Sequence, residues 1–137
     1  SGPLVVISAD TAISMMAVNA KQELVGGVIL PGPQLSLSAL VQNTAQLPQI
    51  DLAAKAPASI LGKSTSSCLQ NGFVLGTASL LDGLAERFCA ELGPQTAFYA
   101  TGNLPIPIRE ACCTPILYRE TLITDGLYRI WMKNKKG

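Results

Sequence analysis

Histidine is absent from this chain of 137 residues, which excludes an imidazole general base and any triad or Cys-His pair built around one. Charge is scarce as well: Asp, Glu, Lys and Arg make up 14% of the residues, and the net charge is +1. So even a balance gives no basic surface for nucleic acid. No apolar run reaches the ~20 residues of a membrane-spanning helix, because Asp10, Lys21 and Glu23, or glycines interrupt each candidate. Ser1-Gly2-Pro3 is not a basic region preceding an apolar core, so no secretory signal is expected. The four cysteines, Cys68, Cys89, Cys112 and Cys113, lack zinc-type spacing, and adjacent Cys112 and Cys113 are poor bridging partners. Reduced thiols, a cytoplasmic location and no metal ligands are the expectation.

What is present is apolar. With 48% hydrophobic residues, the chain can bury the core of one domain, residues 1–137, and the composition argues against disorder. So much apolar content with so little charge predicts that another chain covers part of the surface, a tightly packed single domain being the other reading.

Short apolar runs at Leu4–Ser8 and Ser14–Val18 flank the turn candidates Asp10-Thr11, and the polar hairpin Asn19–Glu23 leads into a third strand, Leu24–Leu30. Gly26-Gly27-Val28-Ile29-Leu30-Pro31-Gly32 reads as a strand that stops at glycines and turns into a helix near Gln34. That geometry lets backbone N–H groups and a helix N-terminus face a phosphate or carboxylate. The helix should fray by Asn43-Thr44, and residues 45–62, with Pro48 and Pro57, read as an ordered connection. A long helix follows to Leu92, capped by Ser64 or Thr65 and stopped by Gly93-Pro94. Its stripe Leu69, Phe73, Leu80, Leu84, Phe88 is widened by neighbouring apolar residues, so two sides should be covered. Gly72, Gly76 and Gly83 each cost about 1 kcal/mol relative to alanine in a helix interior. They imply close approach of another helix, with Gly72, Phe73, Gly76, Leu80 and Gly83 as the interface; an unpartnered bend is the alternative. Ala97–Ala100 is a strand, Thr101-Gly102-Asn103 a turn, Leu104–Ala111 an irregular short helix and Ile116–Tyr118 a last strand. Thr124–Lys135 is a last helix with Asp125 early and Lys133, Lys135 and Lys136 late.

Several motifs succeed one another in a telling order. Gly26-Gly27-Val28-Ile29-Leu30-Pro31-Gly32 is followed by Leu61-Gly62-Lys63-Ser64-Thr65, Leu69-Gln70-Asn71-Gly72, Leu81-Asp82-Gly83-Leu84-Ala85-Glu86-Arg87 and Ala100-Thr101-Gly102-Asn103. The succession resembles the C-terminal domain of type III pantothenate kinases, the Bvg accessory factor-like family, over nearly the whole chain. The resemblance implies an α/β, ribonuclease H-like domain with a mixed sheet of about five strands and flanking helices. That is one half of an actin-like kinase fold, two of which clamp ATP.

Departures from the pattern are informative. Where the family has Asp-x-Gly-Thr-Ala, this chain has Ser8-Ala9-Asp10-Thr11-Ala12. A carboxylate has replaced the glycine that lets amides approach a phosphate, and Asp10 would repel that phosphate unless a cation intervened. Met16 stands where the family has an aspartate associated with a monovalent cation, and Asn103 replaces the second glycine of its adenosine-contacting turn. The phosphate and nucleotide residues Asp10, Thr11, Gly26, Gly27, Thr101, Gly102 and Asn103 are therefore expected to form a vestigial site.

The family's Asp-x-Gly-Asn-Thr loop and Gly-x-Asp-Arg motif, which bring the main phosphate loop and the catalytic base, do not occur here. Asp82 and Glu86 share a helix face, but like charges four apart suit a solvated edge or an interface contact better than an acid/base pair. No residue of this chain is assigned as catalytic. Family enzymes are dimers whose pantothenate pocket is completed by the neighbour, including a threonine that aligns with Thr65. The resemblance thus implies a small subunit of a heteromeric pantothenate kinase, the enzyme that phosphorylates pantothenate in coenzyme A biosynthesis. Thr65 would contact pantothenate in trans or serve as a helix cap. ATP and Mg²⁺, with a monovalent cation as a further candidate, would sit at the site of a longer kinase-like partner, and this chain alone would bind no cofactor. A non-enzymatic scaffold or regulatory paralogue is the principal alternative, and a fragment excised from one kinase is a third.

Overall fold

The computed structural model describes residues 2–44 and 46–119. The expected last helix, Thr124–Lys135, lies outside them. Three strands open the chain: β1 (Leu4–Ala9), β2 (Ala12–Val18) and β3 (Leu24–Pro31). Then come α1 (Pro33–Asn43), α2 (Thr65–Leu92), β4 (Ala97–Gly102), α3 (Ile106–Ala111) and β5 (Ile116–Tyr118). The sheet order is β3-β2-β1-β4-β5. β2 is antiparallel to both β1 and β3, while β4 is parallel to both β1 and β5.

Alternation of side chains along the strands builds the core. Val5, Ile7 and Ala9 of β1 stand opposite Ala17, Met15 and Ile13 of β2, and Val5 and Ile7 opposite Phe98 and Ala100 of β4. All eight are buried on one face. Against that face α2 lays Val74, Ala78, Leu81 and Ala85, spaced four, three and four residues apart, and Leu37 of α1 and Ile108 of α3 close the ends.

The sheet-facing stripe of α2 is thus rotated from the expected Leu69–Phe88 line. Phe73, Leu84 and Phe88 flank the core partly buried, and Leu80 is 42% exposed. The reason is steric: Ala78 and Ala85 let the helix lie close on the sheet, which the larger residues would prevent.

Two local expectations change in detail. β3 runs to Pro31, one residue beyond the expected Leu30, pairing Gly27 with Met16 and Pro31 with Ala12. The chain turns at Gly32, whose N–H donates to the Thr11 carbonyl (2.9 Å). β4 likewise runs through Thr101 and ends at Gly102. The Asn19–Glu23 turn forms as read: the Asn19 side-chain oxygen accepts from the N–H groups of Lys21 and Glu23, and Gln22 takes a positive φ of 63°. The connection before α2 is ordered by donors from the helix. Gln70 Nε2 reaches the Asp51 carbonyl, and buried Asn71 Nδ2 reaches those of Ser59 and Ile60.

Candidate functional site

The sheet end carrying the last residues of β1, β3 and β4 collects five of the seven residues read as a phosphate and nucleotide site. Asn103 N donates to the Ala9 carbonyl (2.6 Å), which holds the Thr101-Gly102-Asn103 turn against the Asp10-Thr11 turn. Gly102, at φ +91°, is required here, since a Cβ would fall 2.0 Å from the Ala9 carbonyl oxygen. Three backbone donors at this end are engaged within the fold. Asp10 N is bonded to Ala12 O, Gly32 N to Thr11 O and Asn103 N to Ala9 O, and Pro33 at the first position of α1 has no N–H to offer. Asp10 is exposed at this end. Three amides at this end are thus committed within the fold, and a carboxylate lies near them.

Gly26 and Gly27 are not part of the cluster. They lie inside β3, Gly27 four residues short of Pro31, or ~13 Å along an extended strand. Gly27 is needed for strand contact: a Cβ would sit 2.2 Å from the Met15 carbonyl oxygen and 2.6 Å from Met16 Sδ.

Thr65 is the first residue of α2, and the cap is Ser64. Ser64 Oγ accepts from Ser67 N (3.1 Å), and Ser67 Oγ accepts in return from Ser64 N (2.9 Å), a reciprocal box that satisfies both exposed amides. The cap role considered for Thr65 therefore falls to its neighbour. Thr65 is exposed on a segment fixed from below by Asn71 and by Cys68, whose thiol donates to Gly62 O.

Along α2, a Cβ at Gly72, Gly76 or Gly83 would meet nothing within 4 Å among the described residues. With Leu80 they form one stripe at intervals of four, four and three residues. A groove of about 250 Å³ runs beside it, lined among others by Ile13, Leu30, Pro33, Phe73 and Leu80. No helix among the described residues fills that side.

Asp82 does something its spacing from Glu86 did not suggest. Its carboxylate accepts from Cys113 N (2.8 Å), Thr114 N (2.9 Å) and Thr114 Oγ1 (2.7 Å), pinning the segment between α3 and β5 to the middle of α2. Partial burial pushes the carboxyl up, but these hydrogen bonds outweigh it and hold the group below its ordinary value. Burial, aided by the Asp82 charge and Cys113, pushes the Cys112 thiol up to about 11. That thiol is protonated at neutral pH and is no nucleophile.

A type III pantothenate kinase family model matches residues 1–87. The chain belongs to that family. A type III pantothenate kinase of Koribacter versatilis is 39% identical over 137 residues, covering 99% of this chain and 49% of that relative. Those of Solibacter usitatus and Frankia alni are 35% and 36% identical, each over 97% of this chain and about half of their own length. This chain spans about half the length of the curated relatives it matches. A Campylobacter jejuni crystal structure, described as a conserved Baf family transcriptional activator, is similar over 97% of this chain and 59% of its own at TM-score 0.61. At 20% identity that likeness speaks for the fold alone. No helix among the described residues is long and apolar enough to cross a membrane.

Proposed function

We propose that this chain is the small, non-catalytic subunit of a heteromeric type III pantothenate kinase, acting beside a longer family member. The observation that carries the reading is the glycine stripe of α2. Among the described residues a Cβ at Gly72, Gly76 or Gly83 would meet nothing within 4 Å, each glycine costs about 1 kcal/mol in helix propensity, and a second helix laid along them would explain their presence. The strand order β3-β2-β1-β4-β5 suits a ribonuclease H-like half of an actin-like kinase. The spent amides around Asp10 and Asn103 suit a vestigial nucleotide site, with ATP, Mg²⁺ and the catalytic base belonging to the partner. Phosphoryl transfer needs a base, a placed acceptor and neutralised phosphate charge. In this reading the small subunit contributes only to placing the acceptor. Thr65, exposed beside a braced loop and free of capping duty, contacts pantothenate across the interface.

The test is reconstitution. Purified together, the two chains should phosphorylate pantothenate with ATP and Mg²⁺, and Thr65→Val should raise KM for pantothenate about tenfold or more, the effect of losing one hydroxyl contact. Turnover unchanged by Thr65→Val in an intact pair would favour the scaffold reading.

A further inference from the structure

We infer that the cavity between α3 and the β4–β5 edge of the sheet binds a small oxyanion, phosphate or a short carboxylate, on the guanidinium of Arg109. The inference is independent of the role proposed for Thr65 and α2. The cavity holds about 190 Å³ and is lined by Ala100, Leu104, Arg109, Thr114, Ile116 and Tyr118. Arg109 is oriented twice over. Its Nε donates to the Leu104 carbonyl (2.7 Å), and its Cζ lies 3.7 Å from the centroid of the Tyr118 ring. A hydrogen bond at Nε and a stack across the planar face leave the two terminal nitrogens as a fixed fork, the form in which arginine recognises carboxylate and phosphate.

Among the described residues no carboxylate is paired with this half-buried cation. Asp82, which reaches the cavity wall through Thr114, is already engaged by three donors. A partly desolvated guanidinium that no described carboxylate pairs with favours an anion that brings the counter-charge. Size narrows the class, because the cavity falls below the ~300 Å³ at which pockets for larger organic ligands begin. A nucleotide is too large, whereas a phosphate or a two- to three-carbon acid fits.

Titration of the isotopically labelled full chain with inorganic phosphate, and separately with acetate, should move the Arg109 Nε–H and Tyr118 resonances to saturation. The anion that saturates at lower concentration distinguishes a phosphoryl from a carboxylate source. Arg109→Lys keeps the charge but loses the fork, and should weaken binding about tenfold or more. Since the same change loosens the Tyr118 stack, thermal unfolding is followed as well. Phosphate should raise Tm for the unaltered chain and not for the variant. Shifts that fail to saturate with either anion, equal affinity in Arg109→Lys, or an equal rise in Tm for both proteins would overturn the assignment.

Discussion

At the residue scale, the strongest constraints fall where a backbone approach or a carboxylate leaves no alternative. Gly27→Ala would put a methyl group 2.2 Å from the Met15 carbonyl oxygen inside a paired strand. Neither side can retreat without breaking the β2–β3 ladder, so a loss of about 3 kcal/mol is expected in urea unfolding. Asp82 is the second such point. Replacing it with alanine strands the N–H groups of Cys113 and Thr114 and should cost about 1–2 kcal/mol, a figure already reduced for a partly exposed carboxylate. Its pH dependence has a definite sign. The folded-state pKa lies below the ordinary carboxyl value of 3.8, so the stabilisation is fully present above that value and is lost as pH falls through the folded pKa. Unfolding midpoints for the unaltered chain should drop on going from pH 5 to pH 3, with a smaller drop in Asp82→Asn. Parallel curves would show that the carboxylate is not the titrating tie.

At the element scale, α2 separates what sequence alone makes legible from what it hides. Its ends were readable because caps are local: Ser64 precedes the helix and Gly93 follows it, its N–H returning to Cys89 O. The sheet-facing side was not, because the choice among many apolar residues depends on how near the helix lies to the sheet, and it was the alanines at 78 and 85 that decided it. The strands themselves were legible from short apolar runs and turn residues, whereas their order in the sheet had no signal in those runs. The engagement of Asp82 with residues 31 and 32 positions away had no local signal, and neither did the commitment of the Asp10, Gly32 and Asn103 amides. The glycine stripe makes its own prediction. Nothing among the described residues obstructs a Cβ at Gly72 or Gly76, so Gly72→Ala with Gly76→Ala should stabilise the isolated chain by about 2 kcal/mol in thermal or urea unfolding. If a second helix packs there, the same two methyl groups overfill the contact by about 1.4 kcal/mol or more, a tenfold loss in pairing affinity. A more stable chain that pairs as tightly as before would locate the interface elsewhere.

At the scale of the whole molecule, the question is whether half the length of a kinase relative can hold a nucleotide by itself. Three amides at the sheet end are bonded within the fold, and Asp10 adds a negative charge beside them. A carboxylate about 4 Å from a phosphate charge opposes it by roughly 1 kcal/mol in water and by about 4 at an intermediate effective dielectric constant, before any lost hydrogen bond is counted. Calorimetric titration of the isolated chain with ATP and Mg²⁺ should therefore give no saturable heat. Asp10→Gly separates the two causes, because it removes the charge and leaves the amides where they are. If the spent donors dominate, the variant stays silent. If charge alone kept the nucleotide away, it acquires measurable affinity. Micromolar binding by the unaltered chain would refute both, and would mean that the turns at Asp10 and Asn103 reopen to release their N–H groups.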